Sequence, residues 1–256
     1  MSGIRTDATA LAFDAEPVAR RIGLVALATD HTTERDFERL LAPAGIGVYT
    51  ARLAYANPTT ADNLIATQPR LRDAAALILP GERLDAICYS CTSASVVIGD
   101  RAVEAAIHEA QPGVPVVTPP LAAAAGLRAL GARRISLLTP YTEAVTAPMA
   151  DYFRAKGFEL AGVTCFGLDD DRRMARITPA SLAEAAVAAI DEDADALFIS
   201  CTALRSAAVA ARIEARVGRP VVTSNQATAW ACLRLCNHRA PMPDHGRLMS
   251  VERYAP

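Results

Sequence analysis

Hydrophobic positions along the chain alternate between short apolar runs of strand length and longer, Ala-rich stretches with helical spacing. Arg21–Ala28 (RIGLVALA) reads as a buried strand, and Thr32–Leu41 as a helix with Thr32 or Thr33 near its N-cap. Gly47–Leu53 is a second strand, Ala61–Leu79 a helix, Ala86–Ser90 a third strand, Ser93–Glu109 a helix, and Pro115–Thr118 a last short strand. The order then begins again. Strands are expected at Arg134–Thr139, Glu159–Cys165, Ala196–Ser200 and Pro220–Thr223, with helices at Thr142–Lys156, Ser181–Asp191 and Ala203–Val217. Such alternation predicts parallel sheets with helical crossovers.

The second run of elements repeats the first at the level of residues. Asp85–Ser95 (DAICYSCTSAS) and Asp195–Ser206 (DALFISCTALRS) are near-copies, with cysteines 110 positions apart at 91 and 201. Pro115-Val-Val-Thr118 is matched by Pro220-Val-Val-Thr223, 105 positions on, and Arg21-Ile22 by Arg134-Ile135, 113 positions on. A period of that size is a whole α/β domain, not a solenoid unit. The expected fold class is therefore α/β, with two pseudo-symmetric domains, each a parallel sheet flanked by helices, and an active site in the cleft between them. The first domain spans residues 1–118 and the second 119–223. The remaining helix, Gln226–Asn237, and the Pro-rich tail, within 224–256, pack back on the first domain and complete it.

Composition narrows the classes. The chain has 256 residues, 5% aromatic, so its core must be built mainly from Ala, Val, Leu and Ile. A net charge of −2 gives no electrostatic reason to expect nucleic acid or a membrane surface as partner. Met1–Ala19 carries Arg5, Asp7, Asp14 and Glu16, unlike a secretory signal, and no 18-residue apolar run exists. These features predict a cytoplasmic protein whose six cysteines stay reduced. The Ala-rich helices leave faces suited to a homodimer.

Chemistry concentrates at the two copied segments. In open parallel sheets ligands bind beyond the carboxyl ends of strands, where helix N-termini aim N–H groups into the crevice. Cys91 and Cys201 fall at such strand ends, each expected to open a helix whose N-terminus lowers the thiol pKa. Thr92, Ser93 and Thr202 supply hydroxyls and backbone donors for a carboxylate or enolate and, with Ala203, complete the substrate-binding loops. An isolated strand-end cysteine is ordinarily a packing residue. Packing alone, however, has no need of the same polar flanks twice. Two thiols facing each other suit a reaction that removes a proton on one face of a substrate and returns it on the other.

Other patterns carry less. Cys88 and Cys91 form a CxxC, but Cys88 lies inside an apolar strand and no second CxxC exists, against zinc or a thioredoxin-type pair. Cys232 and Cys236 are four apart on a helix and read as packing. The four histidines are scattered, and only His31 falls at a strand end. No GxGxxG or Walker A pattern follows any strand. The only lysine, Lys156, precedes Gly157 in a helix C-cap pattern, against a pyridoxal Schiff base. No cofactor is expected.

Taken together, RIGLVALATDHTTE, YSCTSAS, the LLTPY ending at Tyr141, DALFISCTALRS and GRLM near the end resemble the aspartate/glutamate racemase superfamily. The branch is that of maleate isomerases and arylmalonate decarboxylases, with ectoine-utilisation EutA-like proteins nearest. The resemblance implies cofactor-independent chemistry on a substrate clamped between two similar domains, with Cys91 and Cys201 as the two thiols and Tyr141 contacting substrate. Maleate isomerases of that branch use two asparagines to bind substrate carboxylates, and Asp30 and Asp171 align with them. An amide donates to a carboxylate, whereas an ionised Asp only accepts. The replacements thus point away from maleate and toward a substrate with an ammonium group, such as an amino acid. Against this, Asp169–Asp171 also reads as a solvated charge run, and Arg205 as a surface residue.

Decarboxylases of the branch keep only the second thiol. Retention of both favours a racemase or epimerase, with Cys91 and Cys201 as acid and base on a small amino-acid-like carboxylate, within ectoine catabolism by family association. In the isomerase alternative Cys91 adds covalently to a double bond and Cys201 assists protonation or elimination. An arylmalonate-type decarboxylase and a non-catalytic binding module are further alternatives.

Overall fold

The computed structural model describes Asp7 and residues 9–256. The reading of Met1–Ala19 as no secretory signal falls partly outside them. Two four-stranded parallel sheets form the frame. The first contains β1 (Arg20–Leu27), β2 (Ile46–Leu53), β3 (Ala86–Ser90) and β4 (Val116–Val117) in the order β2-β1-β3-β4. The second contains β5 (Arg134–Tyr141), β6 (Glu159–Leu168), β7 (Ala196–Ile199) and β8 (Val221–Thr223) in the matching order β6-β5-β7-β8. The central strands are buried on both faces, as their unbroken apolar runs require.

The aspartate that opens each copied segment has the same structural task twice. Asp85 Oδ2 accepts the Arg21 N–H at 2.8 Å, and Asp195 Oδ2 accepts those of Arg133 and Arg134, both at 2.8 Å. Each carboxylate pins the start of the neighbouring central strand. Close strand packing is also visible at Gly23, where a Cβ would lie 2.9 Å from Ile87 Cγ1.

Three expected helices are broken. Ala61–Leu79 divides into α2 (Ala61–Ile65), a 3-10 turn at Gln68–Arg70 and α3 (Leu71–Ala76), because Pro69 removes an N–H that a continuous helix would use. Ser93–Glu109 divides into α4 (Thr92–Ile98) and α5 (Asp100–His108) at Gly99, whose φ of +91° is outside the helical region. The third break matters most for the site. After Cys201 no helix begins; residues 202–209 run as turns, and α10 covers only Ala210–Val217. There Ala203, Leu204, Ser206 and Ala207 are all buried, so tertiary contacts override the helix propensity of an Ala-rich stretch.

Beyond β4 and β8 come α6 (Pro119–Ala129) and α11 (Ser224–Leu235). Helix α11 is buried over nearly its whole length and packs against α6, α1 (Thr33–Leu41), β3 of the first sheet and β8 of the second. Its side chains hold the tail: Trp230 Nε1 and Arg234 Nε both donate to the Val251 carbonyl, at 2.9 and 2.7 Å. No helix among the described residues is long and apolar enough to cross a membrane.

Candidate active site

Cys91 and Cys201 meet at the carboxyl ends of the two sheets. Each is 4% exposed. Cys91 has an extended backbone (φ −151°) and stands as the N-cap of α4, with the Ala94 N–H and the Ser93 hydroxyl turned to its sulfur. Cys201 has a φ of +98°, unusual for a residue with a side chain, and its sulfur receives the Ala203 N–H and the Tyr141 hydroxyl. The sulfur atoms are close enough that charge on Cys91 opposes ionisation of Cys201.

Several bonds fasten the halves together around the thiols. Ser224 Oγ accepts both the Thr92 hydroxyl at 2.8 Å and the Cys201 N–H at 3.0 Å. Thr202 donates to the Ser90 carbonyl at 3.3 Å. The Thr202 carbonyl in turn accepts from the Thr32 hydroxyl and from Asn225 Nδ2, the latter at 2.9 Å. Over the cleft, Thr29 donates to Asp171 Oδ2 at 2.5 Å, Asn57 Oδ1 accepts the Asp171 N–H at 3.2 Å, and the Thr59 N–H reaches the Asp169 carbonyl at 2.6 Å.

Asp30 and Asp171 are both buried, but they are held differently. Asp30 Oδ1 accepts the N–H groups of Thr32 and Thr33, and Oδ2 accepts the Thr33 hydroxyl at 2.6 Å. It caps α1; the Thr32 hydroxyl has no capping bond. Asp171 is only 8% exposed and opens α8 (Asp171–Arg176), unlike its exposed neighbour Asp169, so it is no part of a solvated charge run. Arg205 does not meet a carboxylate; its guanidinium donates to the Ile177 carbonyl at 2.7 Å.

Electrostatics overturn one expectation. Burial pushes the Cys91 thiol up to about 12, and the negative charges of Asp171 and Asp30 add to it, outweighing the Ala94 N–H and Ser93 hydroxyl that favour the thiolate. Burial pushes Cys201 higher still, with Asp171 again opposing ionisation. The helix-terminus effect is thus outweighed, and Cys201 has no helix following it. Burial also raises Asp171 to about 6, with Asp30 and Asp170 adding to it and the Thr29 hydroxyl opposing. Asp30 is raised by burial against its cap bonds.

Tyr141, at the end of β5, is buried with its hydroxyl 3.5 Å from Ser200 Oγ. Sequence reasoning missed Tyr55, whose hydroxyl bonds Thr59 at 2.9 Å and which feels charge on Cys91, Asp171 and Cys201. It follows β2, so the rule that ligands gather beyond strand ends would have found it. Ser224 and Asn225 were missed too, although they directly follow the second Pro-Val-Val-Thr. Cys88 and Cys232, read separately, have their sulfur atoms 3.0 Å apart between β3 and α11. Among the described residues no group of three or more His, Cys, Asp or Glu is placed to hold a metal ion.

Duplicated parallel α/β halves with a thiol from each at a shared cleft define the class: the aspartate/glutamate racemase-like superfamily. Within it, residues 65–249 match the arylmalonate decarboxylase family, and the chain belongs to that family. Among curated relatives, the Pseudomonas putida maleate isomerase is 29% identical over 187 residues, 70% of this chain and 74% of that one. The Bordetella bronchiseptica arylmalonate decarboxylase is 34% identical over 150 residues, 57% and 62% of the two chains. Among solved structures, a cysteine-to-serine mutant of the Nocardia farcinica maleate cis-trans isomerase, with a covalently bound succinylcysteine intermediate, superposes with a TM-score of 0.82. It is 27% identical, with 90% of this chain and 98% of that one covered. The relatives are enzymes, and cysteine chemistry is documented in that isomerase.

Proposed function

We propose that this protein is a cofactor-independent racemase or epimerase that moves a proton between Cys91 and Cys201 across a small amino-acid-like carboxylate. The observation that carries this reading is the pair of buried thiols, one from each copied segment, tied together through Ser224, with the Asp171 carboxyl held over the cleft by Thr29 and Asn57 so that its charge opposes ionisation of each. Burial, with that charge adding to it, keeps both thiols neutral near pH 7. A substrate ammonium near Asp171 offsets that negative charge and lowers both thiol pKa values, whereas a dicarboxylate adds to it. Substrate binding itself then generates the base, as one thiol releases its proton to bulk water. One thiolate takes the α-proton, the backbone N–H groups of Thr92, Ser93, Thr202 and Ala203 hold the substrate carboxylate as its enolate forms, and the opposite thiol returns a proton; the Thr92 and Thr202 hydroxyls are already given to Ser224 and to the Ser90 carbonyl.

Asp30 supports this site by capping α1 and adding to the negative field. A place in ectoine breakdown belongs to the same proposal and rests on the resemblance to EutA-like proteins alone. Cis-trans isomerisation is the second reading, favoured by the maleate isomerase relatives and the succinylcysteine adduct of one of them. There Cys91 sulfur bonds to one alkene carbon, the other takes a proton, rotation follows, and elimination restores the double bond.

The test is incubation with small amino acids, and separately with maleate, in deuterated water, followed by proton NMR. Loss of an α-proton signal from one amino acid supports the first reading. Conversion of maleate to fumarate with no α-proton exchange in any amino acid overturns it in favour of the second.

A further inference from the structure

The two copied segments are alike in sequence, yet their cysteines take different backbone conformations, φ −151° and +98°. A positive φ on a residue with a Cβ persists only where the surroundings hold it. Around Cys201 that hold comes mostly from the start of α11. Ser224 Oγ accepts the Cys201 N–H, and Asn225 Nδ2 donates to the Thr202 carbonyl. Asn225 Nδ2 is itself fixed by Asp36 Oδ2 at 2.9 Å. The Ser224 hydroxyl has a second partner from the other half, the Thr92 hydroxyl at 2.8 Å, one residue after Cys91. In the first half the position after Pro-Val-Val-Thr is Pro119, which offers no such group. Cys91 instead gives its N–H to the Tyr89 carbonyl at 3.1 Å.

We infer that Ser224 is a positioning residue that couples the two thiol loops, so that Cys91 and Cys201 keep a fixed relation across the cleft. It is 0% exposed and its oxygen is occupied by the Thr92 and Cys201 donors, so it acts through those two residues and not on substrate. A proton relay between two thiols needs both held to within fractions of an ångström of their working places. One hydroxyl shared by both loops meets that need with a single group. The catalytic meaning of the coupling rests on the two-thiol reading above; the coupling itself does not.

The test therefore uses no substrate. Alkylation by iodoacetamide at pH 9 is followed at each cysteine by peptide mass spectrometry. In Ser224→Ala, which removes both bonds to the shared oxygen, the rates at Cys91 and Cys201 should rise together by about tenfold or more, and Ser224→Thr should restore them. Thr92→Val, which removes one of these bonds from the other side, should raise both rates too by a smaller factor, and the double variant should add little to Ser224→Ala. Cys88 and Cys232 are internal controls, both fully buried away from the cleft. Rates that stay within about twofold of wild type, or a rise at Cys201 alone, would overturn the coupling. So would a parallel rise at Cys88 and Cys232, since the change would then be general loosening. If the coupling stands while no amino acid exchanges its α-proton, only the proposed reaction fails.

Discussion

The first half presents Cys91 from an extended backbone that runs straight into a helix, whereas the second presents Cys201 from a left-handed kink followed by eight residues of turn. The first conformation is one any residue adopts. The second costs on the order of 1–3 kcal/mol and is maintained by Ser224, Asn225 and the burial of the turn. Their electrical surroundings differ as well. Asp30 and Asp171 both oppose the Cys91 thiolate, and the hydroxyl that favours each thiolate comes from a different place: Ser93, two residues on, for Cys91, and Tyr141, from another strand, for Cys201. A duplicated motif has thus produced two thiols with separate environments, as a reaction with distinct faces requires.

The largest expected effect comes from removing each thiol. Cys91→Ser and Cys201→Ser should each lower turnover by about a thousandfold or more, because a serine hydroxyl is far less acidic than a thiol. Circular dichroism should show both variants folded. A variant retaining near-wild-type kcat would remove its cysteine from the chemistry and break the comparison.

Separating the two aspartates is the next test. Asp171→Asn should raise KM for an ammonium-bearing substrate by about one to two orders of magnitude, the loss of a charge-assisted bond worth roughly 1.5–3 kcal/mol. The double change Asp30→Asn with Asp171→Asn should also move the cleft toward dicarboxylates, measured as the ratio of kcat/KM values. Asp30→Asn alone should act mainly on stability, by about 1 kcal/mol from the lost bond between the Thr33 hydroxyl and Oδ2, read by urea unfolding. Equal KM effects from the two single changes would show that the capping bonds do not set Asp30 apart.

A smaller effect is expected in the pH dependence of stability. The Asp171 pKa is raised, from 3.8 unfolded to about 6 folded, so the folded state holds the proton more tightly. Stability linked to this group is then full below pH 3.8 and is lost as pH rises through about 6. Asp171→Asn should therefore raise the melting temperature at pH 7 relative to wild type, and the gain should vanish near pH 4. A gain independent of pH would mean that Asp171 is not a strained buried carboxylate.

Much of this was legible in the sequence because it follows from short-range pattern. Every one of the eight strands is foreshadowed by its apolar run, and Ala86–Ser90 matches to the residue. Both thiols and their Thr neighbours stand out through the repeat. What was not legible depends on groups distant in the chain. Nothing near Cys201 in sequence announces a φ of +98°, because Ser224 and Asn225 hold it from 23 residues away. The thiol pKa values were misjudged for the same reason. The local helix-terminus effect is readable, but closure of the cleft by Thr29, Asn57 and Thr59 over Asp169 and Asp171 is not. Asp30 and Asp171 look equivalent until the Thr32 and Thr33 bonds separate them.

The most direct test of the central claim, that the two thiols work opposite faces of one substrate, is α-proton exchange in deuterated water on the separate enantiomers of an exchanging amino acid. With wild-type protein both enantiomers should exchange and interconvert. With Cys91→Ser one enantiomer should still exchange without interconversion, and with Cys201→Ser the other. Loss of exchange from the same enantiomer in both variants, or interconversion surviving in either, would contradict it.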